Sequence, residues 1–248
     1  MGEKDLDFFK RTIQSNLVKA GHGAQALTFF LNAEQQALIQ SAAVYYPDVS
    51  VVMDGGLIHA EYRRVLFMPK SSTLANFKIR VFEVTYAKKF LQPTHRMVLG
   101  SILSLGIKRE SIGDIYITPS KDIYVAFCEE ITPFLLENFK TIGHVAVELK
   151  ECFSKIEIVR QKERKNVTVS SLRLDVLISA AYHVSRSQSS KLIESGLVQV
   201  NHRLVLNGSL LLKESDLLSV RHYGRVTLEK IGGNTKSNRQ VICLAFDC

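Results

Sequence analysis

The sequence SLRLDVLISAAYHVSRSQSSKLIESGLVQVNHRLVLNGSLLLKESDLLSVRHYGR, residues 171–225, decides how the rest of the chain is interpreted. Its first part predicts a helix. Ser171 is an N-cap candidate, and the apolar residues that follow it recur at helical spacing, namely Leu174, Leu177, Ile178 and Ala181.

A second helix start follows directly. Ser185 with Gln188 three residues later matches a capping box, in which the two residues bond each other's backbone N–H groups. Gly196 stands where a left-handed residue would end this helix. Asn201–His202 is then a tight-turn candidate between short strands, and the second of these strands begins at Arg203. The stretch therefore predicts a small module of two helices followed by strands.

Cationic side chains lie at both predicted helix starts. Arg173 and Arg186 each occupy a first turn, and Lys191 follows one turn after Arg186. The helix macrodipole favours acidic residues there, whereas free N–H groups beside a forked guanidinium suit a phosphate. Arginine at both starts is best explained by a polyanionic ligand, although a single solvated arginine at a helix end is an equally common finding.

The positive charge of the chain is concentrated in the same region. Of a formal net charge of +8, residues 1–159 contribute almost nothing, with 18 Lys and Arg against 17 Asp and Glu. Residues 160–240 carry 14 basic against 6 acidic residues. A basic block confined to one module indicates nucleic-acid binding. An anionic membrane is the weaker alternative, because a membrane-surface helix favours aromatic residues opposite its basic face and the chain has no Trp.

Several function classes lack their sequence signals. There is no phosphate-binding P-loop, and the seven His and four Cys show no metal-ligand or C-x-x-C spacing. We therefore expect no catalytic residue, no cofactor and no metal site. No apolar run approaches the roughly 20 residues of a membrane span, and the N-terminus lacks the features of a signal peptide. A reduced, cytoplasmic, non-enzymatic protein is expected.

The remaining sequence predicts an α+β chain of several domains. Residues 1–74 are expected to form an N-terminal α+β domain. Residues 75–152 predict the order βαββαβ, which is the ferredoxin-like layout also used by RRM domains. The mixed charges of residues 153–169 predict a linker, or else an extension of an RNA footprint. Residues 170–248 are expected to form the basic module, which ends in a β-hairpin with a flexible basic tip at Lys236 and Arg239.

The central domain lacks the chemistry of an RNA-binding RRM. The run of basic, glycine and aromatic residues that marks such domains is missing. Its first strand offers Phe82 and Tyr86, and we interpret both as core or protein-contact residues, because aromatic residues are common in strands.

Short motifs in the C-terminal region resemble the S4 RNA-binding domain. They are R-L-D (173–175), S-R-S (185–187), G-x-V-x-V-N (196–201), Asp216 and Gly224-Arg225. The resemblance implies that two helices and the following turn form one RNA-facing surface. The candidate RNA-binding residues are then Arg173, Ser185, Arg186, Ser187, Gln188, Lys191, Asn201, His202, Arg203, Arg221 and Arg225. Asp175 is expected to pair with an arginine or to cap the helix, and His202 stands where this family usually has a Gly.

A longer resemblance covers nearly the whole chain. The segments ALTFFLNAEQQ (26–36), MDGGLIHAEYRRVLFMP (53–69) and HRMVLGSILSLGIKRESIGDI (95–115), followed by the S4 module, resemble the YlmH family. The resemblance implies a non-enzymatic RNA-binding protein that acts on the ribosome. Relatives are linked to the rescue of stalled large subunits that carry peptidyl-tRNA, and to cell-division gene neighbourhoods.

The expected partners follow from these resemblances. We expect a monomer that binds structured RNA on the large ribosomal subunit, with rRNA as the first candidate and tRNA as a further one. The alternative is a protein-interaction factor for septation, in which the basic module only tethers the protein. An RNA-modifying enzyme is a more distant alternative.

Overall fold

The structure, a computed structural model, describes residues 3–159, 162–235, 237 and 239–247. The chain divides into two compact units, Met1–Val159 and Arg160–Cys248. Helices and sheets are mixed along the chain, and the described strand pairs within the sheets are antiparallel. The predicted α+β class is confirmed.

The described part of the first unit contains two sheets with helices packed on them. In chain order its elements are α1 Glu3–Gly21, β1 Ala26–Leu31, α2 Ala33–Ala43, β2 Val49–Asp54, β3 Arg63–Pro69, β4 Ile79–Tyr86, α3 His95–Leu103, β5 Ile112–Ile117, β6 Ile123–Cys128, α4 Thr132–Asn138, β7 Thr141–Ile142 and β8 Val145–Glu151. Short 3-10 helices at Arg109–Ser111 and Glu129–Ile131 precede β5 and α4.

The N-terminal part of this unit packs α1 and α2 against a three-stranded sheet of order β1-β3-β2. Ile13 and Leu17 lie one turn apart on α1 and meet Ile39 of α2 and Phe67 of β3 in a common core. This spacing produces one apolar stripe on α1, which is why the helix is amphipathic. Asn32 caps α2 through a capping box.

The central part has the predicted ferredoxin-like topology. Its sheet runs β5-β6-β4-β8-β7, so the first strand of the βαββαβ order lies in the middle of the sheet. One face of the sheet packs on α3 and α4, with Phe82 of β4 only 2% exposed in that core. The interpretation of Phe82 as a core residue is thus confirmed. The hydroxyl of Tyr86 donates a hydrogen bond to the carbonyl of Lys121 at 2.6 Å.

The opposite face of the central sheet packs on the N-terminal part. Phe30 and Leu57 join Val81, Ala126 and Ile158 in a shared core. Successive residues of β4 face these two cores in turn, with Val81 in the core shared with the N-terminal part and Phe82 in the core under α3 and α4. Residues 1–74 and 75–152 therefore lie in one compact unit, and their division into two domains stays a prediction.

Asp114 and Gly113 lie at the junction between these two parts. The carboxylate of Asp114 accepts hydrogen bonds from the backbone N–H groups of Glu61 at 2.7 Å and Tyr62 at 2.9 Å. Gly113 lies so close to Phe30 that an added Cβ would be 2.7 Å from a ring carbon. At Gly113 the backbone packs closely against the Phe30 ring, and at Asp114 a buried carboxylate binds two backbone N–H groups of the N-terminal part.

The second unit is a six-stranded sheet covered by two helices. Its described elements are β9 Lys162–Val169, α5 Leu174–Tyr182, α6 Arg186–Glu194, β10 Val198–Val200, β11 Arg203–Leu204, β12 Leu217–Val220, β13 Gly224–Asn234 and β14 Gln240–Asp247. The strand order is β11-β10-β12-β13-β14-β9. Leu177 and Ile178 of α5 and Ile193 of α6 pack on Val226 and Leu244 of the sheet. The predicted terminal hairpin is formed by β13 and β14.

Strand β9 differs from the linker predicted for residues 153–169. It pairs with β14 from Val169 opposite Gln240 to Lys162 opposite Asp247. The strand lies at the edge of the sheet, where exposed charges are tolerated and discourage pairing with another chain. Only Val167 and Val169, near its end, turn apolar side chains to the core. The rest of the strand is charged or polar and lacks the alternation of apolar and polar residues that predicts a strand.

We predict that Gly113→Ala destabilises the first unit, because the new methyl group would collide with the Phe30 ring. The expected loss in unfolding free energy is about 1–3 kcal/mol, measured by urea denaturation. Gly100→Ala is the matched control, since an added Cβ there meets no atom within 4 Å. On the exposed face of α3 this change should stabilise by about 0.5–1 kcal/mol. Equal effects of the two changes would contradict the close packing at Gly113.

Candidate nucleic-acid interface

Helix α5 begins later than the sequence predicts. Arg173, not Ser171, occupies the N-cap position, and it makes no side-chain cap hydrogen bond. The preceding backbone is held in an extended conformation, because Leu212 N–H donates to Leu172 O at 2.9 Å and Leu174 N–H donates to Leu210 O at 2.8 Å. The predicted Ser171 cap is therefore wrong, and Asp175 lies in the first turn, where the macrodipole favours a carboxylate.

Asp175 joins the two helix starts. Arg173 donates to its carboxylate from Nε at 3.0 Å and from Nη2 at 3.2 Å, and Arg186 at the start of α6 donates from Nη2 at 3.0 Å. The Asp175 side chain is 8% exposed, whereas those of Arg173 and Arg186 are 41% and 60% exposed. One buried carboxylate therefore positions two guanidinium groups that remain open to solvent. We call these three residues the arginine pair with its buried acid.

This cluster carries a net positive charge. Burial alone would raise the pKa of Asp175, but hydrogen bonds from Arg173 and Arg186 hold the pKa below its ordinary value. The hydrogen bond to Asp175 in turn raises the pKa of Arg173. The acid is therefore ionised at neutral pH and balances only one of the two arginines. The expectation that Asp175 pairs with an arginine is confirmed.

The start of α6 has the predicted capping box. Ser185 Oγ accepts from Gln188 N at 3.1 Å, and Gln188 Oε1 accepts from Ser185 N at 2.9 Å. Both side chains thus stabilise the helix end that carries Arg186. The side chains of Ser187 and Lys191 are exposed on the same helix and make no hydrogen bond or ion pair with another described residue. RNA contact by Ser185, Ser187, Gln188 and Lys191 stays a prediction.

The turn between β10 and β11 has positive φ at both central residues, 51° at Asn201 and 66° at His202. This is the geometry of a type I′ hairpin turn, which His adopts at a cost that Gly would avoid. The Asn201 amide donates to Asp216 Oδ1 at 2.8 Å and its oxygen accepts from Leu217 N at 2.9 Å. The Asn201 side chain is therefore bonded within the module, and the turn leaves Arg203 exposed.

Two further candidate arginines lie near the turn between β12 and β13. Arg221 is exposed, and its backbone N–H donates to Leu197 O at 2.9 Å. Arg225 is half-buried at the start of β13, opposite Ser219. Within the described residues, no contact links Arg203 or Arg221 to Asp175. The structure thus brings Arg173 and Arg186 together directly and leaves Arg203 and Arg221 as separate surface charges.

Arg239 is a basic residue whose position the sequence did not reveal. Its Nη2 donates to Thr168 O on β9 at 2.9 Å, and together with Arg186 it lines a cleft beside α5. The sequence suggested only a flexible tip, because strand β9 was not recognised. Lys236, the other basic residue predicted at this tip, lies outside the described residues.

The described part of the chain lacks two other kinds of feature, a metal-ligand cluster and a membrane-spanning helix. Among the residues that the structure describes, no group of three or more His, Cys, Asp or Glu side chains is arranged to hold a metal ion. Within the same residues, no helix has both the length and the apolar character needed to cross a membrane.

Comparisons with known proteins show which families two parts of the chain match. Residues 72–155 match the family model described as the putative RNA-binding domain in YlmH, and residues 172–218 match that of the S4 domain. The ribosome-associated protein quality control protein P2 of Bacillus subtilis is 34% identical over 217 residues, covering 86% of this chain and 84% of the relative. The chain belongs to the YlmH family. Both resemblances expected from the sequence are confirmed.

A solved YlmH structure also resembles this chain. The cell division protein ylmH from Streptococcus pneumoniae matches with a TM-score of 0.53 and 24% identity, covering 61% of this chain and 93% of that one. At this identity the likeness shows a shared fold.

We predict that Asp175→Asn weakens the S4 module at neutral pH by about 1 kcal/mol, because it removes the charge from two hydrogen-bonded pairs. Since the folded-state pKa of Asp175 lies below its ordinary value of 3.8, this stability is present above that pH and is lost as the pH falls through the folded pKa. The two proteins should therefore differ in unfolding free energy at pH 7 and converge in acid.

The control for this substitution is Glu194→Gln, which makes the same charge change at an exposed residue of α6. Its stability should stay within about 0.5 kcal/mol of that of the unmodified chain at all pH values, because a charge at an exposed helix end has only a small effect, as measured by denaturant titration. A pH-independent difference for Asp175→Asn would mean that the charge of the acid does not stabilise the fold.

We predict that His202→Gly stabilises the module by about 1 kcal/mol, because glycine removes the strain of a positive φ. Thermal unfolding measures this gain. Titration of the same variant with RNA shows whether the imidazole contributes to binding, since a loss of affinity in a more stable protein cannot come from unfolding. A decrease in stability would argue against the type I′ turn.

Proposed function

We propose that this YlmH protein uses its S4 module to bind structured rRNA on the large ribosomal subunit, with tRNA as the second candidate, in the rescue of stalled complexes that carry peptidyl-tRNA. The observation that carries the proposal is the arginine pair with its buried acid, which presents two solvent-open guanidinium groups at adjoining helix starts. The relative from Bacillus subtilis, named for ribosome-associated quality control, supports this assignment. Such a protein would act in the cytoplasm as a monomer and without an enzymatic step.

The chemistry of the surface favours phosphate as its ligand. Forked guanidinium donors bind phosphate oxygens in pairs, and the free N–H groups of the α6 start add further donors beside Arg186. Residues 160–248 carry 14 basic against 7 acidic residues, so the whole second unit attracts a polyanion.

Two guanidinium groups held at a fixed separation favour folded RNA over a flexible single strand. Asp175 and the Ser185–Gln188 capping box hold Arg173 and Arg186 at a set separation before any ligand arrives. Contacts to the phosphate backbone of RNA set the position and orientation of the protein on the RNA and carry little sequence information. We therefore assign recognition of the particular ribosomal complex to residues 1–152, and phosphate binding to the S4 module.

We predict that Arg173→Ala and Arg186→Ala each weaken binding to naked structured RNA and flatten its salt dependence. If about four to six phosphates are neutralised, log K should fall with log[salt] with a slope near −3 to −5. Each substitution should reduce the slope by about one. Fluorescence anisotropy over a range of salt concentrations measures both quantities.

Arg11→Ala is the matched control, because it removes an exposed arginine from α1, outside the two ranges that match RNA-binding family models. It should leave both the affinity and the slope for naked RNA unchanged. If the two S4 variants behave like this control, the RNA surface lies elsewhere.

Ribosome association tests the cellular part of the proposal. In sucrose gradients the protein should sediment with large subunits, and it should be enriched on those that retain peptidyl-tRNA. The Arg173→Ala, Arg186→Ala double variant should move to the top of the gradient. A protein that stays at the top even in low salt would favour the septation alternative, in which the basic module is only a tether.

A further inference from the structure

A cleft lies beside the arginine pair with its buried acid, within the second unit. It has a volume of about 320 Å³ and is bounded by the end of β9 and one face of α5. Clefts that hold small ligands begin at about this volume. Arg186, which binds Asp175 through one nitrogen, also lines the cleft. The cleft therefore opens directly from the proposed RNA surface.

The cleft is lined by both aliphatic and polar residues. We call its aliphatic lining the floor, made of Val167, Val169, Val176 and Ala180, and its polar lining the rim, made of Thr168, Ser170, Ser179, Arg186 and Arg239. An aliphatic floor suits the face of a nucleobase, which is largely apolar, while the rim offers donors to its polar edge or its phosphate. The hydroxyl of Ser179 donates to Val184 O at 2.7 Å, so only its acceptor sites remain for a ligand N–H.

Two guanidinium groups lie on the rim. Arg186 is 60% exposed and anchored by Asp175, and Arg239 is anchored by its bond to Thr168 O at 2.9 Å. Each has further N–H donors beyond the one used in its anchoring bond. A phosphate between them would receive charge-assisted hydrogen bonds from both sides.

We propose that the cleft takes one unpaired nucleotide of the bound RNA, with its base on the apolar floor and its phosphate between Arg186 and Arg239. The inference rests on the proposed RNA-binding function and adds to it the class of RNA, a folded RNA with a bulged or looped-out nucleotide. A base held within a continuous duplex cannot enter a concave site, whereas an unstacked base can be splayed out into one. The S4 surface then binds the phosphates of the duplex, and the cleft selects the position of the irregularity.

The test compares two RNAs that differ by one nucleotide, a blunt duplex and the same duplex with a single bulged nucleotide. Three variants of the full chain are titrated with both. Ala180→Leu fills the floor of the cleft without changing charge, and Arg239→Ala removes one arm of the phosphate site. Lys230→Ala is the charge-matched control, because Lys230 is exposed on β13 and does not line the cleft.

The unmodified protein should bind the bulged RNA more tightly than the blunt duplex. Arg239→Ala and Ala180→Leu should each weaken binding of the bulged RNA by about tenfold, since one charge-assisted contact or the base-binding floor is lost. Binding of the blunt duplex should change far less. Lys230→Ala should affect both RNAs by the same small factor, so that the preference persists.

The other outcomes overturn the inference in distinguishable ways. Equal affinity of the unmodified protein for the two RNAs, or a preference that survives both cleft variants, would refute the nucleotide site while leaving the RNA-binding function intact. Failure of the unmodified protein to bind either RNA would refute both. Thermal unfolding checks each variant, and if Ala180→Leu does not fold, the Arg239→Ala comparison decides alone.

Discussion

The S4 module depends on one electrostatic constraint, the near-complete burial of the Asp175 carboxylate at the start of α5. A buried charge must be compensated, and here the compensation comes from two arginines that belong to different helix starts. Because the acid needs both partners, the two guanidinium groups are held near each other in the free protein. The interaction that stabilises the fold is thus the one that holds the arginines of the proposed phosphate-binding surface in place.

Two other buried carboxylates organise the chain in a similar way. Asp114 accepts the backbone N–H groups of Glu61 and Tyr62 and so joins the central sheet to the N-terminal part. Asp216 accepts the Asn201 amide and the N–H of Lys213, which fixes the turn between β10 and β11. Each acid connects segments that are distant in sequence, and each is less than one-tenth exposed.

The sequence predicted features that depend on local chemistry. The Ser185–Gln188 capping box, the Gly196 helix end and the two-residue turn follow from neighbouring residues, and the ferredoxin-like order follows from hydrophobic periodicity. It failed where a distant segment changes a local preference. Ser171 is a good N-cap by propensity, but pairing with residues 210–212 extends its backbone and delays the helix. Strand β9 is charged for most of its length, and only the strand β14 beside it makes it a strand.

Strand β9 also forms part of the cleft that we propose as a nucleotide site. By adding an edge to the sheet, it brings Thr168 within reach of Arg239 and closes one side of the cleft against α5. The arginine pair with its buried acid would by itself contact phosphates, which do not distinguish one duplex from another. With β9 in the sheet, the arginine pair with its buried acid lies beside a cleft that has an aliphatic floor. In the proposed complex, the charge of the arginines therefore provides affinity for RNA, and the shape of the cleft provides selectivity for an RNA with an unpaired nucleotide.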